Sequence, residues 1–219
     1  MKNYDYIFFD LDGTLSDSAQ GIVNSVNYAF SRLGLPQRSF HELQKFVGPP
    51  LAQSFKVHCG FSPAETEKAI GLFREYFTDK GILENTMYPG IPQMLEQLSL
   101  AGKALVIATS KPENFARSIA ARYGIDHYFA LIAGSEMDET RTEKHQVIEY
   151  ALKTCGITDC SSRVLMVGDR MHDVVGAAKF SIDCMGVLYG YGSRSELQDA
   201  GAVYIAETVS QIAPMILGK

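Results

Sequence analysis

Four aspartates stand in two pairs along this chain, Asp10 with Asp12 and Asp169 with Asp173. Each pair follows a short apolar run, Tyr6-Ile7-Phe8-Phe9 and Val164-Leu165-Met166-Val167. Continuous aromatic and β-branched runs of this kind form strands buried on both faces of a parallel sheet. Two residues apart on extended backbone, the carboxylates of Asp10 and Asp12 approach the same region. Four apart on a starting helix, Asp169 and Asp173 share one face. Gly13 lets the chain turn tightly after the first pair and present backbone N–H groups. Carboxylates gathered at one sheet edge repel one another unless a hard cation neutralises them, and oxygen-only ligands with room for water suit magnesium.

Two further strand ends point to the same place. Thr109 and Ser110 close the apolar run 104–108, bringing hydroxyls near a helix N-terminus, a natural anion site. Lys144 opens the helix after the run 129–133 and can act as a point charge on a phosphate, with Lys103 and Lys111 as competitors for that role. Taken singly, each has a plainer explanation: an Asp after a strand is commonly a helix cap, a Thr a turn residue, a Lys a solvated charge. Their joint placement at successive strand ends makes a phosphoryl-transfer site, where catalysis comes from positioning and charge neutralisation.

The elements that must hold these residues follow from periodicity. After Asp17 apolar Ile22, Val26, Ala29, Phe30 and Leu33 repeat at helical spacing, stopping at Gly34-Leu35-Pro36. Ser39 with Glu42, and Ser62-Pro63-Ala64-Glu65, carry capping-box patterns. Nothing between 17 and 81 reads as a strong strand, so residues 16–86 form a small all-helical domain, and Tyr88-Pro89-Gly90-Ile91-Pro92 marks the return. Alternation then begins: strand 104–108, a helix opened by Pro112, strand 129–133, helix 143–154, strand 164–167, helix 174–179, strands 184–188 and 203–205, helix 209–217. Such alternation implies an α/β doubly wound parallel sheet, formed by residues 1–15 and 87–219, with ligands beyond the carboxyl ends of its strands.

Bulk properties bound the function. The 219 residues are 46% hydrophobic and 21% charged, an ordinary globular balance. A net charge of -5 without a dense Lys/Arg run gives no footprint for nucleic acid or an anionic membrane. The N-terminus runs straight into a short apolar stretch followed by carboxylates, which is no signal peptide, and no apolar run spans a bilayer, so a cytosolic protein is expected. Cys59, Cys155, Cys160 and Cys184 show no zinc-ligand spacing and read as reduced thiols. The composition leaves the oligomeric state open and compatible with a monomer.

Asp10-Leu11-Asp12-Gly13-Thr14-Leu15 resembles the first signature of the haloacid dehalogenase superfamily, Thr109 the second, Lys144 the third and Gly168-Asp169-Arg170-Met171-His172-Asp173 the fourth. The four occur in order along essentially the whole chain. The helical insert resembles the cap of the phosphoglycolate phosphatase-like branch, with Phe46-Val47-Gly48-Pro49-Pro50-Leu51 similar to its substrate loop; bacterial members described as 5'-nucleotidases are the nearest likeness. The resemblance implies that Asp10 attacks phosphorus and forms an aspartyl phosphate, while Asp12 protonates the leaving alcohol and then activates water. It implies Mg2+ held by Asp10, the Asp12 backbone carbonyl and Asp169, with Asp173 orienting the metal's waters, and phosphoryl oxygens held by Thr109, Ser110, Lys144 and the Gly13 turn. Phe46, Gly48 and Pro49 would meet the substrate, a small phosphate monoester such as a nucleoside 5'-monophosphate or phosphoglycolate. Phe46, Pro49, Pro50 and Phe55 offer an apolar wall for a base, although such residues also serve as cap core.

A phosphomutase similar to β-phosphoglucomutase shares all four signatures and stays open. A receiver-like phospho-signalling module also gathers aspartates and a lysine at strand ends, but it has no large helical insert after its first acidic pair. Cap closure would exclude water, with hinges near 15–17 and 85–90. Tyr189-Gly190-Tyr191-Gly192 reads as a plain turn in preference to a loop flanking the site.

Overall fold

The computed structural model describes residues 2–138, 140–157 and 163–218, so Cys160 lies outside the described residues. In chain order the elements are β1 (Tyr6–Phe9), β2 (Ser16–Asp17), α1 (Ala19–Arg32), α2 (Phe40–Leu43), α3 (Leu51–Cys59), α4 (Pro63–Asp79), β3 (Thr86–Met87), α5 (Ile91–Leu100) and β4 (Ala104–Pro112). They continue with α6 (Glu113–Arg122), β5 (Phe129–Ser135), α7 (Lys144–Thr154), β6 (Val164–Gly168), α8 (Met171–Ala178), β7 (Asp183–Val187), α9 (Arg194–Asp199), β8 (Tyr204–Ala206) and α10 (Val209–Leu217). The chain divides into two compact units, Met1–Leu15 with Met87–Lys219, and Ser16–Thr86.

The larger unit is an α/β fold built on a six-stranded sheet ordered β5-β4-β1-β6-β7-β8, with each neighbouring pair parallel. The sheet is buried on both faces, as its apolar strands require. Phe8, Val106, Ala108 and Met166 pack with Val147 and Ile148 of α7 and Val174 and Ala177 of α8. The alternate residues Ile7, Phe9, Leu105 and Ile107 are as deeply buried. β1 lies between β4 and β6, and the strand order reverses there, which opens the crevice typical of doubly wound sheets.

The smaller unit is helical. Both capping boxes form: the Ser39 hydroxyl accepts from the Glu42 N–H and the Ser62 hydroxyl from the Glu65 N–H, and each glutamate reaches back to its cap. Ile22, Val26, Ala29 and Phe30 are the buried face of α1. Gly21 is required by close approach, since a Cβ there would lie 2.1 Å from the Gly81 carbonyl oxygen. β2 and β3, too short to show in the apolar pattern, form a two-stranded sheet.

Several expected boundaries move. β4 runs on through Thr109, Ser110 and Lys111 to Pro112, with a register shift against β5, so Thr109 and Ser110 lie within the strand and do not close it. Pro112 is the N-cap of α6 and not its first residue, and Glu143 likewise caps α7, leaving Lys144 as its first helical residue. α8 starts at Met171, three residues before the apolar pattern becomes visible. Of the cysteines, Cys59 and Cys155 are half-buried and Cys184 is buried, and all three are free thiols. Among the described residues no helix is long and apolar enough to cross a membrane.

Candidate active site

Strand register sets the positions of the acidic side chains. Phe9 lies level with Ile107 of β4 and Val167 of β6, and Asp10, one residue on, donates its N–H to the Val167 carbonyl at 2.9 Å. Gly13, at φ +86°, then turns the chain against Asp169; a Cβ there would lie 2.2 Å from Asp169 Oδ2. Asp169 follows the end of β6, and Asp173 sits in the first turn of α8, where its carboxylate accepts from the Arg170 N–H at 3.1 Å. Gly168 leaves room for it, since a Cβ would lie 2.2 Å from Asp173 Cγ. The carboxylate oxygens of Asp10, Asp169 and Asp173 all come within 4.8 Å of one another.

Two lysines enter this cluster. Lys144 Nζ ion-pairs with Asp10 Oδ1 and Asp173 Oδ1, each at 2.8 Å, and donates to the Ala108 carbonyl at 3.0 Å. Lys111 Nζ donates to both Asp12 oxygens, at 2.8 and 3.1 Å. The third candidate, Lys103, is elsewhere: it donates to the Tyr4 carbonyl and Asn3 before the amino end of β1. Thr109 is buried, its Oγ1 accepting from the Lys111 N–H at 3.3 Å, and Ser110 follows half-buried.

The electrostatics describe a site short of positive charge. Asp10, Asp12, Asp169, Asp173, Lys111 and Lys144 are each more than nine-tenths buried. If all were ionised, four carboxylates against two ammonium groups would leave two negative charges uncompensated, a costly state in a low-dielectric interior. Burial pushes the Asp10 carboxyl up to about 6, with Lys144 partly opposing and Asp173 and Asp12 adding to the rise. Burial, then Asp173 and Asp10, hold Asp169 well above the usual carboxylate range. Burial alone would lower the Lys144 ammonium, but Asp10 and Asp173 more than offset it. Asp10, Asp169 and Asp173 form a group that could hold a metal ion; a hard divalent cation there would supply the missing charge, and the all-oxygen donor set fits magnesium.

Other expected residues fall differently. Phe46, Gly48 and Pro49 belong to the Ser16–Thr86 unit. Phe46 is 1% exposed and packs edge-on against Phe55 at 5.2 Å, within the hydrophobic core of that unit. Gly48 and Pro49 are half-buried. The 189–192 segment is more than a plain turn. Tyr191 N–H donates to Asp169 Oδ2 at 2.8 Å, and the Tyr189 hydroxyl donates to the Thr14 carbonyl at 2.9 Å. Thr14 Oγ1 in turn donates to Asp169 Oδ1 at 3.3 Å. Two of these three contacts involve backbone groups, which side-chain types along the sequence do not reveal; the repeated glycine was the visible signal.

This arrangement has known counterparts. A family model described as haloacid dehalogenase-like hydrolase matches residues 7–187. The chain is 45% identical over 195 residues, 89% of its length and 87% of the relative's, to a 5'-nucleotidase of Pseudomonas aeruginosa. It is 39% identical over 208 residues, 94% of its length and 70% of the relative's, to tyrosine-protein kinase PtkA of Mycobacterium tuberculosis. Among solved structures, a predicted phosphatase from Clostridium acetobutylicum superimposes with a TM-score of 0.96 at 41% identity over the whole of both chains. With the acidic pairs, the lysine and the parallel sheet in one place and the match spanning most of its length, the chain belongs to the haloacid dehalogenase-like hydrolase family.

Proposed function

We propose that this enzyme, a phosphatase, hydrolyses small phosphate monoesters in the cytosol through an aspartyl phosphate on Asp10, with nucleoside 5'-monophosphates as the leading substrates. The observation that carries the reading is the buried cluster itself, in which Asp10, Asp12, Asp169 and Asp173 meet Lys111 and Lys144 at the carboxyl ends of β1, β4 and β6. The substrate preference rests on the 45% identity to a 5'-nucleotidase.

In this mechanism Asp10 is the nucleophile, and the bond from phosphorus to the leaving oxygen breaks as the Asp10 ester forms. Asp12 relays a proton from the incoming monoanionic phosphate ester to the leaving alcohol and later takes one from the water that attacks the aspartyl phosphate. Lys111 binds Asp12 in the free site; an incoming phosphoryl group draws that ammonium toward its own oxygens and releases Asp12 for proton transfer. Lys144, Thr109 and Ser110 hold the phosphoryl oxygens, with the Gly13 turn offering backbone N–H groups. Asp10, the Asp12 carbonyl and Asp169 would hold Mg2+, with Asp173 beside them to orient its waters. When bound, the ion neutralises the charge that builds up on the phosphoryl group.

Phosphate release from AMP, UMP, phosphoglycolate, glucose 6-phosphate and β-glucose 1-phosphate, with magnesium and with EDTA, tests this reading. Magnesium-dependent release favouring the nucleotides is expected. A preference for phosphoglycolate would reassign the substrate. Isomerisation of β-glucose 1-phosphate without release would make the chain a mutase. Transfer from ATP to a tyrosyl peptide without ester hydrolysis would align it with PtkA. The insert Ser16–Thr86, directly after the first acidic pair, argues against a receiver module.

A further inference from the structure

The stretch from Tyr189 to Glu196, between β7 and the middle of α9, touches the acidic cluster at more points than its turn-like sequence suggests. Besides the Tyr191 N–H on Asp169 Oδ2, two glycines are packed too closely for any side chain. A Cβ on Gly190 would lie 2.3 Å from the Gly13 carbonyl oxygen and 2.4 Å from Asp169 Cβ, and one on Gly192 would lie 1.9 Å from the Asp169 carbonyl oxygen. The segment is itself anchored at both ends. At its start the Tyr189 hydroxyl donates to the Thr14 carbonyl, and the Tyr189 ring meets Tyr88 edge-on at 4.9 Å. Burial, then Asp169 and Tyr88, push that phenol upward, so it stays a donor throughout the physiological range. At its end Ser193 caps α9, and Glu196 Oε1 accepts from both Arg170 Nε at 2.8 Å and the Met171 N–H at 2.9 Å, where α8 begins.

We propose that residues 189–196 are a positioning device for the Asp169 carboxylate, fixing the orientation in which it meets magnesium. The Tyr191 N–H and Thr14 hydroxyl direct its two oxygens, Gly190 and Gly192 let the segment lie directly against it, and Glu196 holds the start of α8. Such outer-shell partners characteristically change metal affinity by about 10–100-fold when lost. A plain connecting turn between β7 and α9 would need neither two glycines against Asp169 nor a backbone donor aimed at its carboxylate. The inference rests on the assignment of Asp169 as a magnesium ligand.

The test is calorimetric titration of the free full-length enzyme with MgCl2, without substrate, alongside thermal unfolding in EDTA. Gly190→Ala is expected to weaken Mg2+ binding by about 10–100-fold. Glu196→Ala, on the half-buried rim, is expected to weaken it at least about threefold, and Glu196→Gln, which keeps an oxygen acceptor, to restore wild-type affinity. Metal-free melting should show both Glu196 variants folded, with Glu196→Ala melting lower because it loses two hydrogen bonds at the start of α8 and Glu196→Gln near wild type. Wild-type affinity in a folded Gly190→Ala protein, or in Glu196→Ala should the glycine variant not fold, overturns the proposal. A wild-type enzyme that binds no magnesium overturns it together with the reading of Asp169 as ligand; unchanged affinity in the variants of a magnesium-binding wild type overturns the positioning role alone.

Discussion

Asp10 is a carboxylate whose charged form the fold destabilises. Burial holds it at about 6, above the roughly 3.9 of an unfolded aspartate. The sign follows: between about pH 4 and pH 6 the unfolded chain has lost this proton while the native one keeps it, so the metal-free protein loses stability as pH rises through that window, and the loss is complete above it. Asp10→Asn removes the charge while keeping an oxygen for Lys144. It is therefore expected to raise the stability of the EDTA-treated protein by about 1–3 kcal/mol at neutral pH, with the gain shrinking toward pH 4, as read by calorimetric melting at several pH values. The same variant should lose turnover by on the order of 10⁴-fold or more in a phosphate-release assay; retained activity would end the nucleophile role. The acidic residues and Lys144 were legible in the sequence because each follows an apolar strand. The choice between Lys103 and Lys111 was also available: β4 starts after Lys103 and ends after Lys111, and only the latter can reach the carboxyl edge.

Elements are where sequence and structure part by a few residues, for identifiable reasons. α5 begins after Gly90 in the left-handed region, with no side-chain cap hydrogen bond to announce it, and α9 has only six residues. By contrast the two Ser–Glu boxes were visible and form. Ser62→Ala is expected to cost about 1 kcal/mol, read by denaturant unfolding, because α4 loses a bonded N-terminal donor. Gly176 in α8 sets two effects against each other. Alanine there gains about 1 kcal/mol of helix propensity. Its Cβ, however, would lie 2.8 Å from Lys144 Cγ, and Lys144 is fixed by Asp10, Asp173 and the Ala108 carbonyl. Overpacking at a buried, fully held side chain costs about 1–3 kcal/mol, so the clash outweighs the propensity. Gly176→Ala should therefore melt lower and turn over more slowly, whereas Gly71→Ala in α4, where a Cβ meets nothing, should melt higher.

At the scale of the molecule, every carboxylate and lysine of the cluster belongs to one of the two units. Asp10, Asp12, Lys111, Lys144, Asp169 and Asp173 all lie in Met1–Leu15 with Met87–Lys219, as does the six-stranded sheet that places them. The chain leaves and re-enters this unit at neighbouring points, since the Tyr88 N–H donates to the Leu15 carbonyl at 3.2 Å. A flexible linker of about four Gly/Ser residues can therefore replace Ser16–Thr86 with little loop-closure cost. The shortened protein is expected to fold cooperatively, because its sheet core is self-contained, and to bind Mg2+ within about threefold of the full chain, because no proposed ligand has been removed. Its preference among phosphate esters should flatten, since the family resemblance gives substrate selection to the helical insert. Calorimetric titration with MgCl2 and the monophosphate panel read the two outcomes separately. Loss of magnesium binding in a folded shortened protein would mean that the insert helps to build the metal site.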